Sequence, residues 1–183
     1  MLLVVAALAL AGVLVADAFA SGESRRVLSG IGTSGARYTL DVGPGQRAHD
    51  SWCATLRTRR GRVSARAHTC AVTPSRSLGG GFLVDCRRGD FAIYGVVATR
   101  HGRVTLHARG GKVISLHMRR VPSFLGFEGR FFAGMPLRGV LPVTVRAVNG
   151  AGRVLSEQRI TGVGRRCARG ARLVGGAFFG VRR

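Results

Sequence analysis

Apolar positions in this chain recur with a period of two and nowhere with a sustained period of 3.6. Trp52, Ala54 and Leu56 alternate with Cys53, Thr55 and Arg57, and Val63, Ala65 and Ala67 alternate with Ser64, Arg66 and His68. Successive side chains of a strand point to opposite faces, so each run describes a half-buried β-strand. The same reading places strands near Tyr38 to Val42, Trp52 to Thr58, Val63 to Val72, Phe82 to Asp85, Phe91 to Thr99, Val104 to Ala108, Val113 to Met118, Arg130 to Ala133, Val143 to Val148 and Val154 to Arg159. Between them stand Gly43-Pro44-Gly45, Arg87-Arg88-Gly89-Asp90, Gly110-Gly111 and Asn149-Gly150-Ala151-Gly152, all turn chemistry. Many short strands at such spacing predict an all-β fold of antiparallel strands, a β-sandwich or partly open barrel.

Turn chemistry also predicts register. A two-residue turn at Gly61-Arg62 sets Arg60 opposite Val63 and, counting outward, Cys53 opposite Cys70. That register also sets Arg57 against Arg66, a like-charge pair that costs a few tenths of a kcal/mol or more. At Gly110-Gly111 a three-residue loop with a glycine bulge aligns Val104, Leu106 and Ala108 with Ile114, Leu116 and Met118 on one face. A two-residue turn would put them on opposite faces, so the longer loop is expected. The run Gly79 to Gly81 reads as an internal boundary.

The first twenty residues are an apolar run ending in Ala18-Phe19-Ala20, the small-residue pattern of a leader cut after Ala20. The expectation is a secreted or cell-surface protein, with an uncleaved N-terminal anchor as the alternative. The expected organisation is a signal peptide over 1–20, a cysteine-stapled β meander over 21–78, sandwich strands over 79–161 and a basic tail over 162–183. The four cysteines, Cys53, Cys70, Cys86 and Cys167, all follow the leader. In an exported chain they read as two disulfides, and of three possible pairings the hairpin register selects Cys53 with Cys70, leaving Cys86 for Cys167. No pair has C-x-x-C spacing, so neither a metal site nor a cofactor is expected.

Composition adds one question. Of 183 residues 29 are basic and 8 acidic, giving a net +21, and every basic residue but Lys112 is arginine. Arginine forms bidentate contacts with phosphate and carboxylate, which favours a binder of anionic envelope polymers or nucleic acid. Arg, Gly, Ala and Val also share GC-rich codons, so the same surplus follows from genome composition alone. The tail from Gly164 to Arg183 holds six arginines and no acid, interleaved with Leu173, Val174, Phe178 and Phe179. Arg165, Arg166, Arg169 and Arg172 are its candidate polyanion contacts. Leu173 to Val181 is expected to pack as a last edge strand pinned by Cys167, because adjacent phenylalanines are costly to leave in water.

Other chemistry is sparse. Gly30 to Gly35 matches G-x-G-x-x-G, but Tyr38, Leu40 and Val42 continue with strand period where a dinucleotide site needs a helix. Gly111-Lys112 is followed by Val113, not the Ser or Thr of a phosphate loop. The histidines, His49, His68, His101, His107 and His117, form no H-E-x-x-H pattern, although His107 and His117 are expected on the polar face of one hairpin. Asp85 and Asp90 flank a turn and are expected to meet, so with Glu128 they are the candidates for a secreted hydrolase using paired carboxylates.

Leu141 to Ile160, with its V-x-V-R-A strand, N-G-x-G turn and second strand, resembles the closing hairpin of bacterial Ig-like domains. The resemblance covers about twenty residues and implies an adhesion, spacer or accessory module with an Ig-like sandwich and no catalytic residues. The resulting expectation is an exported non-catalytic surface or binding module, whose partner is an anionic envelope polymer or other polyanion.

Overall fold

The computed structural model describes residues 24–45, 51–72, 78–98, 102–108, 110–138, 142–161, 163–179 and 181–182. The expected leader lies outside them, as do His49 and His101. The chain is all-β. Strands β1 (Arg25–Ile31), β2 (Arg37–Pro44), β3 (Ser51–Arg60) and β4 (Val63–Val72) form a four-stranded antiparallel meander. A second sheet runs in the order β13 (Leu173–Phe179), β5 (Leu78–Asp85), β6 (Asp90–Val97), β10 (Arg130–Arg138), β9 (His117–Arg120). The third runs β14 (Val181–Arg182), β12 (Val154–Ile160), β11 (Val143–Val148), β7 (Arg103–Ala108), β8 (Val113–Ser115). One short helix, α1 (Val163–Ala168), and a 3₁₀ turn at Ser123–Leu125 complete the described elements.

The second sheet contributes to two cores, one on each face. Phe91, Ile93, Val97, Phe132, Val174 and Phe178 pack with Val104, Leu106, Val143, Val145 and Ile160 of the third sheet. Ala92, Tyr94, Val96, Phe131 and Ala133 pack with Leu40, Val42, Trp52, Ala54 and Leu56 of the first. Alternate residues of β6 therefore go to opposite cores, and all eight residues of DFAIYGVV are buried. A strand covered on both faces needs no polar alternation, which explains its continuous apolar run. Trp52 meets Phe131 edge to face at 5.6 Å across the first core. Burial pushes the Tyr94 hydroxyl's pKa up, opposed by its hydrogen bond to Thr69 at 2.8 Å. That contact ties the first sheet to the second.

Gly79, Gly80 and Gly81 lie inside β5 and are buried, so the expected boundary is a strand. Sequence reasoning treated consecutive glycines as turn chemistry, whereas here they let backbones approach. Gly80 pairs with Gly95, and a side chain on Gly95 would run into the Gly79 carbonyl and sit 2.7 Å from Phe132 Cζ.

Both disulfides have the expected partners, Cys53 with Cys70 and Cys86 with Cys167. The Gly61-Arg62 register holds throughout the β3–β4 hairpin, including Arg57 against Arg66. The loop after β7 has three residues, since the Ala108 amide donates to the Lys112 carbonyl and Leu106 opposes Ile114. The expected single strand Val113 to Met118 is two: β8 stays with β7, and β9 crosses to pair with β10. His107 and His117 therefore lie on different sheets, which corrects their expected shared face. Residues 173–179 form the anticipated edge strand, paired with β5 and burying Val174 and Phe178, while Leu173 and Phe179 stay exposed.

Candidate anion-binding face

Strand parity in the first sheet gives it one buried and one wet face. Leu40, Val42, Ala54 and Leu56 point into the core. Their neighbours in sequence point out, and the pairing aligns them in rows across the four strands. One row carries Ile31, Arg37, Arg59 and Ser64, and the next Ser29, Thr39, Arg57 and Arg66. A third carries Arg26, Asp41, Thr55 and His68. Gly43, Cys53 and Cys70 make the last.

Five exposed arginines thus share this face with a single carboxylate, Asp41. Asp41 is held by Arg26 at 3.3 Å and by Arg57 at 3.4 Å. Arg37 stands directly opposite Arg59, and Arg57 opposite Arg66. Along one strand, residues two apart are ~6.8 Å distant, so the arginine positions form a grid with Thr and Ser positions between them. Such a surface offers paired N–H forks to anionic oxygens.

The sequence singled out the tail arginines instead. Arg165 and Arg166 occupy the last turn of α1, where positive charge complements the helix dipole, and Arg169 and Arg172 follow it. All four are exposed, and Arg166 and Arg169 edge a shallow depression with Gly170, Ala171 and Leu173. A further basic groove runs along β9, lined by His117, Arg119, Arg120 and Arg130. Neither patch has the multi-strand grid of the first sheet.

Asp85 and Asp90 do meet, as cross-strand partners at the β5–β6 turn. Asp85 accepts hydrogen bonds from the Arg87 and Arg88 amides, at 3.0 and 3.2 Å, and so fixes that turn. Asp90 is buried and pairs with Arg60 at 3.6 Å. Both line a crevice of about 30 Å³, enough for water and small for a sugar ring. Glu128 is exposed on the segment before β10 and is not among that crevice's lining residues. Burial, with Arg146 nearby, draws the His107 pKa below the ordinary range, and Glu157 opposes the shift.

Cys53, His68 and Cys70 form the one cluster of potential metal-ligating groups among the described residues, with ligand atoms within 4.8 Å of one another. His68 Nε2 is 3.1 Å from Cys70 Sγ, and Nδ1 is 2.9 Å from Thr55 Oγ1. No protein-family model, curated protein or solved structure matches this chain.

Sequence reasoning found the Arg57–Arg66 pair but missed Arg26, Arg37 and Arg59 as members of one surface. The signal was there in part: Arg37, Thr39 and Asp41 alternate with Tyr38, Leu40 and Val42. Joining them to Arg57 and Arg66 required the strand order, which no local pattern states.

Proposed function

We propose that this is an exported, non-catalytic binding module that holds an extended, phosphate-bearing anionic polymer against the outer face of β1 to β4. The opposed arginines carry this reading. Arg37 stands against Arg59 and Arg57 against Arg66 on one sheet face, a cross-strand charge cost that Asp41 offsets at Arg57 and that a bound anion would relieve further. A polyanion laid across the rows neutralises both pairs at once. The β11–β12 hairpin, the segment with the Ig-like resemblance, fits the same accessory role.

The test is the salt dependence of binding, with duplex DNA as a phosphate-bearing probe of known charge spacing. Each phosphate neutralised contributes about 0.9 to the log–log slope, so a face engaging four phosphates gives about −3.6. A flat response would leave the arginine surplus as composition without function.

A further inference from the structure

The lower row of the same sheet carries a different chemistry. Strand register places Cys53 directly opposite Cys70, and parity places His68, two residues before Cys70, on the same wet face. We propose that reduction of the Cys53–Cys70 bridge creates a site for a thiophilic monovalent cation, Cu(I), held by Cys53 Sγ, Cys70 Sγ and His68 Nε2.

Three observations converge on it. The three ligand atoms already lie within 4.8 Å of one another, and opening the bridge frees the two sulfurs to part around an ion beside His68. The imidazole is held from behind: Nδ1 lies 2.9 Å from Thr55 Oγ1, and in the tautomer that donates its proton there Nε2 turns its lone pair towards the sulfurs. An outer hydrogen bond of this kind is what fixes the tautomer and ring plane of a metal-ligating histidine. Finally, His68 and Cys70 are exposed and Cys53 half-exposed, so both reductant and ion reach the cluster.

The choice of ion follows from ligand softness and from charge. Two soft thiolates and a borderline imidazole make a threefold set that suits Cu(I), whereas Zn(II) closes a structural site with four ligands. Cu(I) with two thiolates carries a net charge of −1, and Zn(II) with the same pair carries none. Arg57 and Arg66 lie in the row beyond His68, and Asp41, in the row of His68, is paired with Arg26 and Arg57, so the surrounding arginines outnumber the one carboxylate and favour the anionic complex.

The chemistry balances with a dithiol as the electron source. The dithiol gives up two electrons and closes to a cyclic disulfide, while the Cys53–Cys70 bond opens to two thiols that take its two protons. Cu(I) then displaces those two protons on binding. C-x-x-C spacing is absent because the ligands come from two strands: H-x-C on β4 and one cysteine across on β3.

The full chain, reduced with a dithiol and freed from it without oxygen, is titrated with Cu(I) in competition with a chromogenic Cu(I) chelator. One ion per chain is expected, with none taken by the oxidised protein. Cys70→Ser should abolish binding and His68→Ala should weaken it at least tenfold, while Cys86→Ser/Cys167→Ser should still bind one ion. X-ray absorption at the copper edge should show two sulfur ligands and one nitrogen. Equal affinity in the His68→Ala protein overturns the proposal, whether or not the reduced chain keeps its β circular dichroism. So does retained binding in Cys70→Ser, or a preference for Zn(II) in direct competition.

Discussion

Strands β6 and β4 show what being covered on two faces or on one does to a β-sheet. In β6 every residue is buried, Phe91 and Ile93 face one core while Ala92 and Tyr94 face the other, and the sequence loses its alternation. In β4 one face packs Ala65 and Ala67 against the core, and the other exposes Ser64, Arg66, His68 and Cys70. A doubly covered strand supplies stability and has no free surface for chemistry. The outer sheet keeps a whole face for arginines, hydroxyls and the exposed disulfide, so candidate function and structural core are separated by layer. This contrast predicts that substitutions in the middle sheet act on folding and those on the outer face act on binding.

The two disulfides give the largest expected difference. Cys86–Cys167 closes a separation of 81 residues and ties the end of the β5–β6 hairpin to α1, while Cys53–Cys70 closes 17 within one hairpin. By loop-closure entropy the first contributes about 4.5 kcal/mol and the second about 3. Denaturant unfolding of Cys86→Ser/Cys167→Ser and Cys53→Ser/Cys70→Ser should rank in that order, and the reverse ranking would show the middle sheet to be the less dependent layer.

Gly95→Ala should cost about 3 kcal/mol, because the added methyl group collides with the Gly79 carbonyl and with Phe132 across a close strand pair. Thr39→Ala on the outer face should stay within about 0.5 kcal/mol of the parent. Thermal melts of the two variants compare the layers directly.

Arg37→Gln removes one member of the Arg37–Arg59 pair and leaves Asp41 its two partners. Stability should rise by a few tenths of a kcal/mol. A loss instead would mean that these arginines contribute to the fold rather than oppose it.

The smallest effect is a titration. The folded His107 pKa lies below its unfolded value of about 6.5, so the unfolded chain binds more protons. The contribution of His107 to stability therefore falls as pH drops below about 6.5 and levels off beneath the folded midpoint. NMR should find that midpoint below 6.5, and Arg146→Gln should move it upward by removing a neighbouring positive charge.

Local pattern was enough for the strands with one wet face. Tyr38 to Val42 and Trp52 to Thr58 alternate, and the Gly61-Arg62 turn set the register that brings Cys53 to Cys70. It failed where burial has two sides: Gly79 to Gly81 looked like a linker because close backbone packing and flexible turns both call for glycine. It failed also at Leu116, where the chain leaves one sheet for another, since Val113 to Met118 alternates without interruption. β1 escaped because Val27 and Leu28 are adjacent, and the pairing shifts register between Arg26 and Leu28. The candidate site was legible as pairs but not as a surface, because cross-strand rows are a property of sheet order.

The most direct test compares two charge-matched changes in one binding measurement. Arg37→Gln/Arg66→Gln, on the outer face, should reduce the log–log salt slope for duplex DNA by about 1.8, whereas Arg166→Gln/Arg169→Gln, beside α1, should leave it near the parent value. If the tail variant takes the loss and the outer-face variant binds like the parent, the polymer does not lie on the β1 to β4 sheet.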